Sequence, residues 1–266
     1  MLNFSKKLQQ KINFFRFEIS SKKKRPNKAV RASMHACLQQ ALQNGLKPAT
    51  IIDVGAAQGT PALYEVFPKA RHIFVEPLKE FTTYLDTLVG KLDKAEYIIA
   101  AAGTQRSNIV INVHPDLVGS SIYKEGENSN VNGVERIVPV VSLDRICEEK
   151  GAEGPYLIKI DTQGSELNVL RGAEEVLQKT DFVILEVSLF EFFQDGPQLF
   201  ECINFMKKRG FVAYDLFNLQ YRLLDGAMSQ VDIAFVRENS HFRTFHFYAT
   251  EEQREKQNQR LIKSLN

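Results

Sequence analysis

From residue 50 onward, short runs of apolar and β-branched side chains alternate with stretches whose apolar positions recur at helical spacing. That alternation predicts an α/β protein with a mostly parallel sheet covered by helices on both faces. Strands are expected over residues 50–54, 71–76, 96–101, 107–113, 134–141, 156–161, 182–187, 211–217 and 231–237. Helices are expected over 29–43, 61–67, 78–89, 142–150, 165–178 and 198–209. Asn44-Gly45 stops the first helix, and Gly210 stops the last, after Lys207-Lys208-Arg209 has put positive charge at the negative end of its dipole. The runs at 107–113 and 134–141 break the βα alternation and read as a hairpin. Its connection, Pro115 to Gly133, is rich in Gly, Ser and Asn and long enough to be a lid or substrate loop. Beyond Thr250 the tail is charged and Gln-rich, with a short helix at most. We find no internal repeat and no low-complexity block.

Chemistry enters at the ends of the apolar strands. Thr50-Ile51-Ile52-Asp53-Val54-Gly55-Ala56-Ala57-Gln58-Gly59-Thr60 is a strand that runs into a carboxylate and then a glycine-spaced turn, where the missing side chains let a ligand approach the backbone. Glu76 ends the next strand about 20 residues on, where a doubly wound fold puts its ribose-binding acid. Gly59-Thr60-Pro61 lacks the Lys-Ser/Thr of a nucleoside triphosphate loop, and Gly55-x-x-x-Gly59 lacks the dinucleotide spacing. Asp53 would repel a pyrophosphate but welcome a sulfonium or ammonium cation, so S-adenosylmethionine suits the loop better than NAD. The plainer alternative is a tight βα turn with a carboxylate at its start.

Asp161 ends the apolar strand Tyr156 to Ile160 and is the first candidate for a general base, the alternative being an Asp that accepts backbone N–H bonds from the following turn. Glu186, ending Phe182-Val183-Ile184-Leu185, is the second. The two acids could hold a divalent cation, which is not favoured because neither His nor a DxD pair accompanies them. Ser142, Asp144 and Glu166 read as helix-start residues, and Lys159 as a lysine that snorkels or pairs with a neighbour. Phe190, Phe192 and Phe193 stand where an acceptor pocket would open or the core would pack. Of the five scattered histidines, His114, beside the long loop, is the first choice as an alternative general base.

Composition narrows the class. The chain has 266 residues, and its three cysteines, Cys37, Cys147 and Cys202, argue for a reducing compartment and against a disulfide framework or structural zinc. No run is long and apolar enough to span a membrane and no secretory signal stands at the N-terminus, so a cytoplasmic location is expected. The net charge of +2 hides an asymmetry, since residues 1–31 hold ten Lys/Arg and one Glu. In that segment Phe4, Ile12, Phe14, Phe15, Phe17 and Ile19 alternate with basic residues. It reads as a basic amphipathic helix, packed on its own domain or leaning weakly through residues 1–25 on an anionic membrane at the inner surface. Nucleic-acid binding is not expected, because regularly spaced aromatics are lacking elsewhere. A homodimer through a sheet edge or the terminal helices is allowed.

At Leu157-Ile158-Lys159-Ile160-Asp161-Thr162-Gln163-Gly164-Ser165-Glu166-Leu167-Asn168-Val169-Leu170-Arg171-Gly172-Ala173 the chain resembles the FkbM family of S-adenosylmethionine-dependent methyltransferases. The family pattern is a strand ending K-I-D, then E-G or Q-G, then E-x-x-V-L-x-G-A. The resemblance extends to Asp53 through Gly59, Glu76-Pro77, Ser120-Ser121, Val141 through Asp144, Glu186 and Asp232, covering about residues 48–237. Ala57 stands where the family commonly has Asn. The resemblance implies a Rossmann-like class I methyltransferase fold, seven-stranded with an antiparallel hairpin at one edge. The methyltransferase domain is expected over 48–240, and the basic helical segment (1–47) and polar tail (241–266) that flank it lie outside the resemblance. It implies methyl transfer to a hydroxyl of a sugar, glycolipid or secondary metabolite. The implied cofactor contacts are Asp53, Gly55, Ala56, Gln58, Gly59, Glu76, Pro77, Ala101, Ser120, Ser121 and Asp161, with Asp161 and Glu186 catalytic. The alternative is an inactive cofactor-binding module that docks a biosynthetic partner.

Overall fold

The computed structural model describes residues 31–126 and 130–265. The expectations for residues 1–25, and the start of the first helix at 29, therefore lie outside the described residues. Ala32–Asn266 form one compact unit.

Its centre is set by strands that are apolar almost throughout. β1 (Thr50–Val54) and β7 (Tyr156–Ile160) are buried at every residue, as strands covered on both faces must be. With β2 (Arg71–Glu76), β3 (Ala95–Ile99), β8 (Thr180–Ser188), β9 (Phe211–Tyr221) and β10 (Met228–Arg237) they form a seven-stranded sheet of order β3-β2-β1-β7-β8-β10-β9. All neighbours are parallel except β10, which runs antiparallel to β8 and β9. This is the Rossmann-like seven-stranded architecture with its antiparallel edge hairpin. The β9–β10 ladder carries three register irregularities. A second sheet, β4 (Ala101–Ala102), β6 (Val134–Val141) and β5 (Ser107–Val113), contains the expected hairpin.

Strand alternation divides the core. Ile52, Val54, Ile158, Ile160, Val183 and Leu185 face one side, under α4 (Leu143–Lys150), α5 (Glu166–Arg171), α6 (Glu174–Gln178) and α7 (Leu199–Lys208). Ile51, Leu157, Phe182 and Ile184 face the other, under α1 (Met34–Gln43) and α2 (Pro61–Val66). A third cluster packs α3 (Thr82–Val89) and Phe74 against Ile111, Val113 and Val138 of the small sheet. Caps fix several helix ends: the Ser33 hydroxyl accepts from Ala36 N–H, the Ser142 hydroxyl accepts from Arg145 N–H, and Gln198 and Glu201 form a reciprocal box.

Four expectations are corrected. The helix over 165–178 is two helices, because Gly172 lies against Gly103, whose carbonyl oxygen would sit 1.9 Å from any Cβ placed there. Asp144 then caps the second piece, accepting from the N–H groups of Glu175 and Val176 rather than only meeting its own helix dipole. The strand over 96–101 ends at Ile99, and the chain passes through Ala100 into the other sheet. The tail helix α8 (Glu251–Leu265) runs 15 residues, started by Thr250 and Gln253, which cap each other's backbone N–H, and by two glutamates in its first turn. Residues on both sides of 48–240 pack with the sheet: Met34, Cys37, Leu38 and Ala41 belong to the core, and Phe242 packs edge-on against Phe182 and Tyr214.

Candidate functional site

The strand parity that buries Ile51 and Leu157 places Asp53, Lys159, Glu186 and Asp232 on the same face, at the carboxyl edge of the sheet. Asp53 is the register partner of Lys159, and Glu186 that of Asp232. Lys159 is buried, with its Nζ 3.4 Å from Asp53 Oδ1, 3.4 Å from Asp161 Oδ2 and donating to Gly55 O at 3.4 Å. Burial opposes its charge, but Asp161 and Asp53 outweigh burial and hold its pKa above the ordinary range. Asp53 is itself pushed up by burial, against the pull of Lys159, and its Oδ2 accepts from Thr60 N–H at 3.2 Å. Asp161 is desolvated too, yet Lys159, with hydrogen bonds from Glu186 and Gln163, holds it below the ordinary carboxylate range.

Glu186 behaves oppositely. Burial and then the negative charge of Asp161 push it up to about 9, so it keeps its proton at neutral pH and shares it with Asp161. Gln163 joins the pair, its Nε2 donating to Asp161 Oδ1 at 2.8 Å and Glu186 Oε2 at 2.9 Å, while Gln220 donates to Glu186 Oε1 at 2.6 Å. Asp232, raised by burial to about 6, accepts from Asn218.

Two turns bend toward each other over this cluster. Gly55 has φ +69, and a Cβ there would lie 1.8 Å from the Asp161 carbonyl oxygen, so only glycine allows the two turns to touch. Glu76 braces the first turn from β2, its Oε2 accepting from Ala57 N–H at 2.8 Å and its Oε1 from Leu78 N–H at 2.9 Å. Burial raises its pKa against those two bonds. Glu166 braces the second: its Oε1 accepts from Thr162 N–H, Gly164 N–H and the Thr162 hydroxyl, and burial moves it up to about 7. The plainer alternative for Asp161, a cap for its own turn, therefore falls to Glu166.

These turns form one wall of a cavity of about 300 Å³. Gly55, Glu76, Pro77, Ala101, Ser120, Ser121 and Asp161 line it, with Leu78, Phe81, Ile109 and Ile111 as its apolar side. Asp53, Ala56, Gln58, Gly59 and Glu186 stand behind or beside the lining; Glu186 meets the lining residues Asp161 and Gln163, and Asp53 is linked to Asp161 by Lys159, which itself stands behind the wall. Ala57 lines the wall through a backbone at φ +45. Ser121 donates its hydroxyl to Gln163 O at 2.6 Å, and Ser120 donates to Leu117 O at 2.7 Å and accepts from His114 N–H, so both serines tie the long connection down. Phe193 is buried against Gly164, Phe190 lies under the Arg222 guanidinium, and neither these nor Phe192 lines the cavity. His114 pairs with Asp116 outside it.

Sequence reasoning gave Lys159 and Glu166 no part in the site. The available signal was a lysine amid Leu157, Ile158 and Ile160, opposite an equally isolated Asp53. Among the described residues no cluster of three or more His, Cys, Asp or Glu could hold a metal ion, and no helix is long and apolar enough to cross a membrane.

Comparison with known proteins agrees with the motif. The methyltransferase FkbM domain matches residues 53–213. The 2-O-methyltransferase NoeI of Sinorhizobium fredii (strain NBRC 101917 / NGR234) is 29% identical over 160 residues, covering 54% of this chain. The match spans 65% of that relative's length. Among solved structures, the N-methyltransferase NodS from Bradyrhizobium japonicum WM9 aligns with a TM-score of 0.43 at 8% identity, over 76% of this chain and 93% of that one. Magnesium protoporphyrin IX methyltransferase from Synechocystis PCC 6803, with bound SAM, aligns with a TM-score of 0.42 at 8% identity, over 76% of each chain.

Proposed function

The chain belongs to the FkbM methyltransferase family, and from that premise we propose that it transfers the methyl group of S-adenosylmethionine to a hydroxyl of a sugar, glycolipid or secondary metabolite. The observation that carries the reading is the cavity at the carboxyl edge, where a glycine cradle, a buried acid at the end of β2 and an ionised Asp161 meet an apolar wall. That donor set fits the cofactor. Glu76 keeps a free lone pair on each oxygen for ribose hydroxyls, Leu78, Phe81 and Ile109 suit the base, and the Asp161 charge suits a cation. Bound S-adenosylmethionine would supply an electrophilic methyl carbon and leave as S-adenosylhomocysteine.

What the chain adds is alignment and a place for one proton. Asp161 accepts the acceptor hydroxyl's hydrogen bond and then its proton, which passes to water. Lys159 keeps Asp161 ionised, and neutral Glu186 orients it from behind. Calorimetric titration with S-adenosylhomocysteine, with NAD as control, tests the cofactor. Micromolar binding that is lost in Glu76→Ala supports the reading, and equal binding of NAD or none of either refutes it. Asp161→Asn should abolish turnover while S-adenosylhomocysteine still binds; retained turnover removes Asp161 from the mechanism.

A further inference from the structure

Behind the wall formed by Ser121–Tyr123 and Gln163–Ser165 lies a second cavity, of about 350 Å³. Asn168 lines both cavities. Its Nδ2 donates to the Tyr123 hydroxyl at 3.2 Å, and its Oδ1 accepts from Arg171 at 2.7 Å, so one amide joins the two spaces and is held from both ends. The second cavity is unlike the first. Apart from the Tyr123 ring, Leu167 and Pro197, its side chains are planar polar groups: Asn168, Arg171, Glu191, Asp195, Gln198 and Glu201. Three carboxylates face one guanidinium, and part of that guanidinium is already committed to Asn168.

From this geometry we infer that the acceptor occupies the second cavity, reaching the first past Tyr123 and Asn168, and that it is an uncharged polyhydroxyl molecule, not a phosphorylated or carboxylated one. The inference rests on the methyl-transfer reading and names its substrate class. Carboxylates and amides accept from vicinal hydroxyls in pairs, and an aromatic ring offers an apolar face to the C–H side of a sugar ring. An anion entering the same space meets an excess of negative charge and finds Arg171 partly used, which discriminates by repulsion. Glu201 and Gln198 are engaged in capping α7, which leaves Asp195 and Glu191, whose Oε1 also accepts from Asp195 N–H at 3.2 Å, to set the sign of the rim.

The test uses the full chain saturated with S-adenosylhomocysteine and follows the Asn168 side-chain amide by NMR, assigned from its loss in Asn168→Asp. The probes are cellotetraose, which is neutral, and tetragalacturonate, which carries a carboxylate on every sugar. Cellotetraose should shift the Asn168 amide saturably, and tetragalacturonate should bind at least about tenfold more weakly at low salt. Glu191→Lys, at an exposed position, should narrow that gap while leaving S-adenosylhomocysteine affinity unchanged. No shift with cellotetraose at tens of millimolar overturns the inference, as does tetragalacturonate binding equally or better, or a gap that Glu191→Lys leaves intact. Failure of S-adenosylhomocysteine to bind at the outset instead removes the methyl-transfer reading, and the acceptor site with it.

Discussion

Replacing Lys159 by methionine removes the cation that holds the site together while nearly conserving its volume. Lys159 stands 3.4 Å from one oxygen each of Asp53 and Asp161, and at an effective dielectric constant of about 20 each contact is worth roughly 5 kcal/mol of gross attraction. Desolvation of the buried Lys159 and Asp53 and of the partly buried Asp161 offsets most of that, so the cluster is no large net source of stability in the wild type. Removing one partner is a different matter, because Asp53, 1% exposed, is left as an uncompensated buried charge, and such losses run to about 3–5 kcal/mol. The deficit carries a signature in pH. Without Lys159 the pKa values of Asp53 and Asp161 both rise, so the variant can escape the penalty by taking up protons as the pH falls. In the wild type the Lys159-lowered Asp161 supports stability above its ordinary value of 3.8 and loses that support as the pH falls through its lower folded value. The wild type keeps that support in full between pH 5 and pH 8, so the variant's proton uptake alone makes the gap between the two proteins widest near pH 8 and narrower near pH 5. Urea unfolding monitored by circular dichroism at both pH values measures it, and Asp53→Asn in the Lys159→Met background should recover part of the loss. A deficit below about 1 kcal/mol at pH 8, or one independent of pH, would refute the reasoning.

Three further outcomes follow from the same structure. Glu186, with a folded pKa of about 9 against an ordinary 4.5, binds a proton that the unfolded chain gives up, so its contribution is full below the ordinary value and is lost as the pH rises toward 9. Glu186→Gln, which mimics the protonated form, should melt at or above the wild-type temperature at pH 8.5, with the difference closing at pH 5, and a wild type that gains on the variant with rising pH would contradict this. Gly55→Ala should destabilise by at least about 2 kcal/mol and weaken S-adenosylhomocysteine binding, since its Cβ cannot occupy the Asp161 carbonyl; unchanged melting and affinity would show that the turns are not in contact. Deleting residues 250–266 should shift the melting temperature by less than about 2 °C, because α8 buries no side chain, and a larger fall measured by calorimetry would reveal packing on that helix.

The fold was legible where one physical pattern dominated. Fully buried parallel strands such as Thr50–Val54 and Tyr156–Ile160 announce themselves as apolar runs, and the departure of 107–113 and 134–141 from alternation marked the hairpin. Illegible were features that need a partner distant in sequence. Nothing near Gly172 reveals that Gly103 will lie against it, so the helix break there is a tertiary event. Glu166 looked like an ordinary first-turn acid because its three acceptor contacts arise only once Thr162 and Gly164 curl back over it. The site divided the same way: strand-end acids were visible one at a time, whereas the opposite ionisation of Asp161 and Glu186 depends on a lysine on one strand and a glutamine on the turn between.

The irregular β9–β10 ladder bears on how this protein behaves in a crowded solution. Among the described residues β9 is an edge strand of the large sheet, eleven residues long, its Asn218 N–H donating to Ala32 O, and it exposes Leu216, Leu219 and Tyr221, with Leu223 and Leu224 just beyond. A flat strand of that length and greasiness would template pairing with a second molecule and seed aggregates. The register shifts between Met228 and Gln230, Gln230 and Asp232, and Ala234 and Phe235 bend and twist the ribbon, so that its outward N–H and C=O groups no longer form a continuous straight row. Irregular pairing at this margin thus acts as a guard against self-association, and smoothing the hairpin into ideal register would raise its strength while removing that protection.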